Sequence, residues 1–107
     1  MFVAYDVALE MVRELRDVVR VIGSRDAELA KQLRDAAGSV VLNLGEGRRR
    51  LGGDQRRHYG YAHGSASEVR AALDLADAWG WAGDTRAVRA LLGRLLGLLW
   101  GLTHRRQ

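Results

Sequence analysis

Residues 29–44, LAKQLRDAAGSVVLNL, carry apolar side chains at steps of three and four. An α-helix completes a turn in about 3.6 residues, so this spacing places those side chains on one face. The apolar face comprises Leu29, Leu33, Ala36, Val40 and Leu44. Four glycines follow between residues 45 and 53. Because glycine is a poor helix former, we predict that the helix ends there and that another begins.

Three other segments have the same periodicity, and no strand pattern competes with it. The first apolar face comprises Tyr5, Ala8, Val12, Leu15, Val19 and Ile22. The face after the glycines comprises Tyr59, Ala62, Ala66, Val69, Leu73 and Ala76. The last comprises Val88, Leu91, Leu92, Leu95, Leu99 and Leu102. The sequence therefore predicts four helices, at about residues 4–22, 25–48, 54–79 and 84–103.

Connections of a few residues between helices of this length favour antiparallel neighbours. No proline interrupts the pattern. The expected fold class is therefore all-α, an antiparallel up-down-up-down four-helix bundle. A chain of 107 residues has the size of one domain. We accordingly assign residues 1–107 to a single four-helix-bundle domain.

The expected helix ends follow from residues with known end preferences. Ser24, after Gly23, is expected to cap the second helix, because a serine oxygen accepts a free backbone N–H at a helix start. Asp54 and Asp84 are expected to cap the third and fourth helices in the same way. Gly80 is expected to end the third helix in a Schellman turn, followed by an apolar residue.

The composition is that of a globular protein with a basic balance. Seventeen Lys and Arg residues oppose thirteen Asp and Glu residues, which permits nucleic acid as a partner. The chain has no cysteine, which rules out disulfides and thiolate metal sites. The first residues are charged too early for a signal peptide, and no apolar run is long enough to span a membrane. We therefore expect a cytoplasmic protein that does not enter a membrane.

The basic residues cluster where the second helix is expected to end. The five arginines of this corner are Arg48, Arg49, Arg50, Arg56 and Arg57. Guanidinium groups suit phosphate oxygens, and the nearby Tyr59 and Tyr61 offer rings for base stacking. The alternative is a solvated corner whose charges only aid solubility. The sequence predicts a nucleic-acid-binding site here without base-specific reading.

Polar residues also lie beside the expected core. Ser39, Asn43 and Glu46 share one face of the second helix, and Ser65 and Glu68 share one face of the third. Equal helical rise from the turn places Ser39 level with Ser65. We predict that these five residues form a structural polar network across the hairpin, in which the buried polar groups satisfy one another.

The fourth helix is more apolar than a monomeric bundle requires. Its core face leaves Leu96, Leu98 and Trp100 to cover other faces. A helix that is apolar nearly all round is buried nearly all round, so these residues predict an oligomer interface. The alternative is a core helix that tolerates glycine. We therefore expect the bundle to self-associate into an oligomer.

No pattern of catalytic or metal-binding residues is present. A Walker-type phosphate loop needs a Lys followed by Ser or Thr after its last glycine, which the corner lacks. His58 and His63 are five positions apart and do not share a helical face. No serine is associated recognisably with a histidine and an acid. We therefore expect no enzyme, no cofactor and no metal site.

Three blocks resemble a known family. They are QLRDAAGSVVLNLGEG at residues 32–47, GSASEV at 64–69 and AWGW at 78–81. In this order they are similar to the small bacterial proteins encoded in intervening sequences of 23S ribosomal RNA genes. The resemblance covers about residues 29–83.

The resemblance implies a four-helix bundle that assembles as a homopentamer. A relative similar in fold, the accessory variability determinant of diversity-generating retroelements, is a basic pentamer that binds nucleic acid and a reverse transcriptase. The resulting hypothesis is a non-enzymatic homo-oligomer that binds RNA or DNA through repeated arginine corners. The alternative is an oligomeric scaffold or accessory protein that binds a protein partner such as a reverse transcriptase.

Overall fold

The computed structural model describes residues 1–104. It contains four α-helices: α1 (Val3–Gly23), α2 (Ala27–Gly47), α3 (Gly52–Trp79) and α4 (Arg86–Thr103). No strand occurs within residues 1–104. The all-α class and the four helices expected from the periodicity are confirmed. None of these helices is long and apolar enough to cross a membrane.

Each helix packs against the next along the chain, and α1 also packs against α4. The molecule measures 45 × 22 × 21 Å. The long axis corresponds to the length of α3, because 28 residues at about 1.5 Å each span about 42 Å. The four helices therefore enclose one elongated core.

The apolar faces of α2 and α3 are buried as the sequence predicts. On α1 half of the predicted stripe is buried, but at two positions the buried residue is the neighbouring one. Met11 and Val18 are buried, whereas Val12 and Val19 are only half-buried. Both members of each adjacent pair are apolar, so the pattern does not distinguish them. The packing of α1 against α2 and α4 does.

The start of α2 differs from the expectation. Asp26, not Ser24, caps the helix, and its carboxylate accepts the N–H of Leu29 at 3.0 Å. Ser24 instead continues the end of α1, where its hydroxyl donates to the carbonyl of Val21 at 2.7 Å. Asp26 has the extended backbone that a capping residue adopts, whereas Ser24 retains helical dihedral angles.

The starts of α3 and α4, where aspartate caps were predicted, also differ from the expectation. α3 begins at Gly52, so Asp54 lies inside its first turn. α4 begins at Arg86, and Asp84 accepts the N–H of Arg86 at 3.1 Å from one residue before the formal cap. Both carboxylates still lie at the positive end of a helix dipole.

The end of α3 has the expected geometry. Gly80 has φ +76°, the left-handed region that glycine enters without strain. The N–H of Trp81 donates to the carbonyl of Ala76 at 2.8 Å, and the N–H of Gly80 donates to that of Asp77 at 2.9 Å. These two bonds define a Schellman turn.

Candidate nucleic-acid interface

The corner between α2 and α3 is a compact turn held by one side chain. Beyond Gly47 the N–H groups of Arg48, Arg49 and Arg50 still donate to carbonyls in the last turn of α2. The amide of Gln55 then donates to the carbonyls of Gly47 and Arg50, at 3.2 and 2.9 Å. Gln55 therefore joins the end of α2 to the start of α3, a role that its sequence position did not suggest.

Gly47 lets α3 approach α2 closely. A Cβ atom at this position would lie 2.7 Å from the ring of Tyr59, well inside van der Waals contact. Tyr59 is buried, and its ring centroid lies 5.8 Å from that of Phe2. The close approach of Gly47 and Tyr59 thus fixes the position of the arginine corner against the start of α1.

Two of the five arginines are bonded to carboxylates. Arg50 bridges Glu46 and Asp54, at 2.5 and 3.1 Å. Arg57 bonds the other oxygen of Asp54. The Arg50 guanidinium lowers the pKa of Glu46 through its hydrogen bond and its charge, and the pKa of Arg50 is raised in turn. The carboxylates of Glu46 and Asp54 thus neutralise both guanidinium charges locally.

The other three arginines of the corner are Arg48, Arg49 and Arg56. Within residues 1–104, no Asp or Glu oxygen lies within 4.0 Å of the guanidinium nitrogens of Arg48, Arg49 or Arg56. Arg48 lies over the rings of Phe2 and Tyr5, at 5.3 and 5.4 Å from their centroids. Such cation–π contacts orient the guanidinium without neutralising its charge.

The predicted polar network forms around three of its five residues. The hydroxyl oxygens of Ser39 and Ser65 lie 2.8 Å apart. The amide of Asn43 donates to the carbonyl and hydroxyl oxygens of Ser39, at 2.9 and 3.1 Å. Asn43 also contacts His58, whose ring nitrogen lies 3.2 Å from the amide oxygen. His58, which was not among the five predicted residues, therefore also belongs to the network.

The two glutamates lie outside these contacts. Glu46 faces Arg50 at the corner, because the turn brings that guanidinium back along the helix. Glu68 is exposed and lines a groove between α2 and α3 beside Ser65. Neither carboxylate bonds Ser39, Asn43 or Ser65.

Two of the three predicted interface residues pack partly within the bundle. Leu96 and Leu98 are half-buried against the core, and Leu98 lines a cavity with Phe2 and Ala4. Only Trp100 is largely exposed, at 56%, with its ring stacked on that of His104. The exposed side of α4 therefore consists mainly of smaller side chains.

A contact between α3 and α4 was not anticipated from the sequence. Arg89 bonds Asp74 at 2.8 Å and Asp77 at 2.5 Å, and it also donates to Thr85 at 3.0 Å. The two aspartates are three positions apart on α3, which places them on one face. Two aspartates at this spacing indicate a cation partner. The loop between α3 and α4 determines that this partner is Arg89.

Within residues 1–104, no three His, Cys, Asp or Glu side chains lie close enough together to hold a metal ion. A groove between α2 and α3 that contains Glu68 has a volume of about 590 Å³. The arginine corner lies at one end of the bundle, between α2 and α3.

Comparison with known proteins confirms the resemblance of the three sequence blocks. A family model described as 23S rRNA-intervening sequence protein matches residues 2–94. The match includes α1 and the start of α4, beyond the blocks themselves. No curated protein matches the chain.

Proposed function

Because the chain belongs to the 23S rRNA-intervening sequence protein family, we propose that it is a cytoplasmic, non-enzymatic homo-oligomer that binds nucleic acid through its arginine corner. The homopentamer implied by the resemblance is the assembly that we propose. Each subunit contributes one corner. The ligand is a phosphate backbone, and the binding does not depend on base sequence.

The observation that carries this proposal is the uncompensated charge of the corner. Five arginines face two carboxylates, Glu46 and Asp54, so three positive charges remain. They belong to exposed or half-buried side chains on one turn and the first residues of α3. A charge cluster of this kind attracts phosphates and releases their counterions.

The aromatic side chains near the corner support a nucleic acid over a simple anion. Tyr61 is 54% exposed, and its ring meets that of His58 edge to face, at 6.0 Å between centroids. An exposed tyrosine ring offers a stacking surface to any base, which makes the contact tolerant of sequence. Arg48 lies over Phe2 and Tyr5 and is exposed, so its charge is accessible to a phosphate.

Oligomerisation strengthens this proposal. One corner makes a weak contact, but copies arranged in a ring engage a long strand at several points, and linked contacts multiply the apparent affinity. The outer side of α4 and the groove between α2 and α3 are surfaces on which subunits can meet.

The proposal includes an up-down-up-down course of the helices. Ser39 of α2 contacts Ser65 of α3, and Asn43, one turn later in α2, contacts His58, about two turns earlier in α3. Residue numbers that rise on one helix and fall on the other support an antiparallel pair.

The test is the binding of a fluorescently labelled single-stranded RNA and of a duplex DNA, followed by anisotropy across a salt series. The triple variant Arg48→Gln, Arg49→Gln, Arg56→Gln is expected to lose binding. The matched control is Arg13→Gln, Arg25→Gln, Arg70→Gln, which removes the same charge from exposed positions elsewhere. Equal affinity of the two triple variants would contradict the proposal. Salt-insensitive capture of a protein partner without nucleic-acid binding would favour a scaffold.

A further inference from the structure

The groove between α2 and α3 is an open surface with small residues at its base. Ala36 and Ser39 line it from α2, and Ser65 and Ala72 line it from α3. Small side chains let another helix approach the backbone closely. We refer to this surface as the α2–α3 groove.

One edge of the α2–α3 groove carries Glu68 and Leu75. Both are exposed, and seven residues complete about two helical turns, so the two side chains lie in line on α3. Leu75 is 49% exposed. The edge thus presents a carboxylate and, two turns later, an apolar side chain.

A second surface, the exposed side of α4, contains glycines that the bundle does not require. Added Cβ atoms at Gly93, Gly97 and Gly101 would meet nothing within 4 Å, and none of these residues has a positive φ. A glycine inside a helix costs about 1 kcal/mol relative to alanine. We call this side, which also contains Arg94 and Trp100, the α4 outer face.

The two surfaces carry opposite unpaired charges. Arg94 is the only Lys, Arg, Asp or Glu residue of α4 after Arg89. Within residues 1–104, neither Arg94 nor Glu68 has an ion-pair partner. Asp35, on the other wall of the α2–α3 groove, is already bonded to Lys31 at 2.8 Å. Glu68 is therefore the carboxylate in the groove that is free to bind an incoming cation.

Trp100 and Arg94 lie on opposite flanks of the α4 outer face. They are six residues apart, about 9 Å along the helix axis and about 120° around it. Leu75 lies about 10.5 Å from Glu68 along α3, on the same edge of the groove. A helix that pairs Arg94 with Glu68 therefore turns Trp100 away from that edge.

We propose that the α4 outer face of one copy of this chain docks into the α2–α3 groove of the next copy, with Arg94 bonded to Glu68. The inference rests on the homo-oligomer of the proposed function and names the surfaces that build it. The two surfaces are different, so the contact is head-to-tail. Such contacts close into a ring when the rotation per subunit permits, and they allow an odd number of subunits.

The test is the molar mass in solution, measured by light scattering after gel filtration. All variants are compared at the same protein concentration, in the micromolar range. Glu68→Arg and Arg94→Glu are each expected to convert the multimer into monomer, because each places like charges together. The double variant Glu68→Arg, Arg94→Glu is expected to restore the multimer. Glu10→Arg and Arg13→Glu, both on exposed positions of α1, serve as controls and are expected to remain multimeric.

A second variant tests the docking without a change of charge. Gly97→Leu is expected to yield a monomer by filling the space that the approaching groove needs. Its helix content by circular dichroism is expected to match that of the wild type, since leucine is the better helix former.

Each result decides a different point. A monomeric wild type overturns both the oligomer and this contact. A multimer that persists in Glu68→Arg, Arg94→Glu and Gly97→Leu overturns this contact and leaves the oligomer standing. Single variants that dissociate without rescue by the double variant overturn the Arg94–Glu68 pairing.

Discussion

The hydroxyl oxygens of Ser39 and Ser65 lie 2.8 Å apart although 26 positions separate the two residues. This contact, extended through Asn43 to His58, sets the level at which α2 and α3 meet. Every buried side-chain nitrogen and oxygen within residues 1–104 has a hydrogen-bond partner. The polar contacts are therefore compatible with a well-packed core.

A double-mutant cycle measures the serine pair. Ser39→Ala and Ser65→Ala are each expected to lower the free energy of unfolding by about 1 kcal/mol. The double variant is expected to fall short of their sum by about 0.5–1 kcal/mol, because both changes remove one shared bond. Urea unfolding at a fixed protein concentration provides the values. Ser39→Ala with Ser67→Ala is the control pair, and a fully additive serine pair would refute the coupling.

Replacement of Gly47 tests the close approach of α2 and α3. Gly47→Ala is expected to destabilise the fold by about 1–3 kcal/mol, because its methyl group would overlap the Tyr59 ring. Gly38→Ala, in the middle of the same helix with open space around it, is expected to stabilise by up to about 1 kcal/mol. Thermal unfolding of both variants provides the comparison. Equal effects of the two changes would mean that Tyr59 is not seated as described.

The bridge from Arg89 to Asp74 and Asp77 is expected to stabilise the docking of α4 on α3. Arg89→Met should lower the free energy of unfolding by up to about 1 kcal/mol at low salt, since the Arg89 side chain is one-third exposed. High salt should reduce the loss. Arg86→Met, which removes a more exposed pair with Asp84, should change stability by a smaller amount. A loss of equal size in both variants would count against the bridge.

The Asp84 carboxyl provides a pH-dependent signal. Its hydrogen bonds with the side chain and backbone of Arg86 lower its pKa from 3.8 to about 2. Because the folded-state pKa is depressed, the stabilisation is present above the unfolded pKa and is lost as the pH falls from about 4 to about 2. NMR titration of the carboxyl carbon should show the low pKa, and Arg86→Gln should raise it. A pKa near 3.8 in the wild type would refute the contact.

Release of Arg50 from its ion pair is expected to strengthen nucleic-acid binding. Glu46→Gln removes a carboxylate that competes with phosphate for the guanidinium. An exposed ion pair is a weak competitor, so the affinity should rise about two- to fivefold at most. The dependence on salt should also steepen, by about 0.9 in the logarithmic slope for each added duplex phosphate contact. Glu10→Gln, on the exposed side of α1, controls for net charge.

The core faces of α2 and α3 could be predicted from the sequence because apolar residues at steps of three and four form one continuous face on each helix. On α1 the adjacent apolar pairs at 11–12 and 18–19 leave the rotation of the helix undetermined. Only the neighbouring helices decide which member is buried. The same reason explains Leu96 and Leu98, which pack partly inside although the core face of α4 is complete without them.

Parts of the candidate site depend on distances between helices, which the spacing of residues along the sequence does not predict. The arginine cluster is visible in the sequence, but its division into neutralised and free guanidinium groups depends on the turn that returns Arg50 to Glu46. The roles of Gly47 and Gln55 arise from distances between α2 and α3 at the corner. Backbone approach of this kind follows from the packed structure alone.

The position of Arg48 over Phe2 makes the corner observable by spectroscopy. Phe2 is the only phenylalanine of the chain, so a fluorinated phenylalanine introduces a single resonance. A phosphate that draws the guanidinium away from the ring changes the electronic environment of that one nucleus. The chain thereby contains its own reporter of occupancy, readable in each subunit without labelling the ligand.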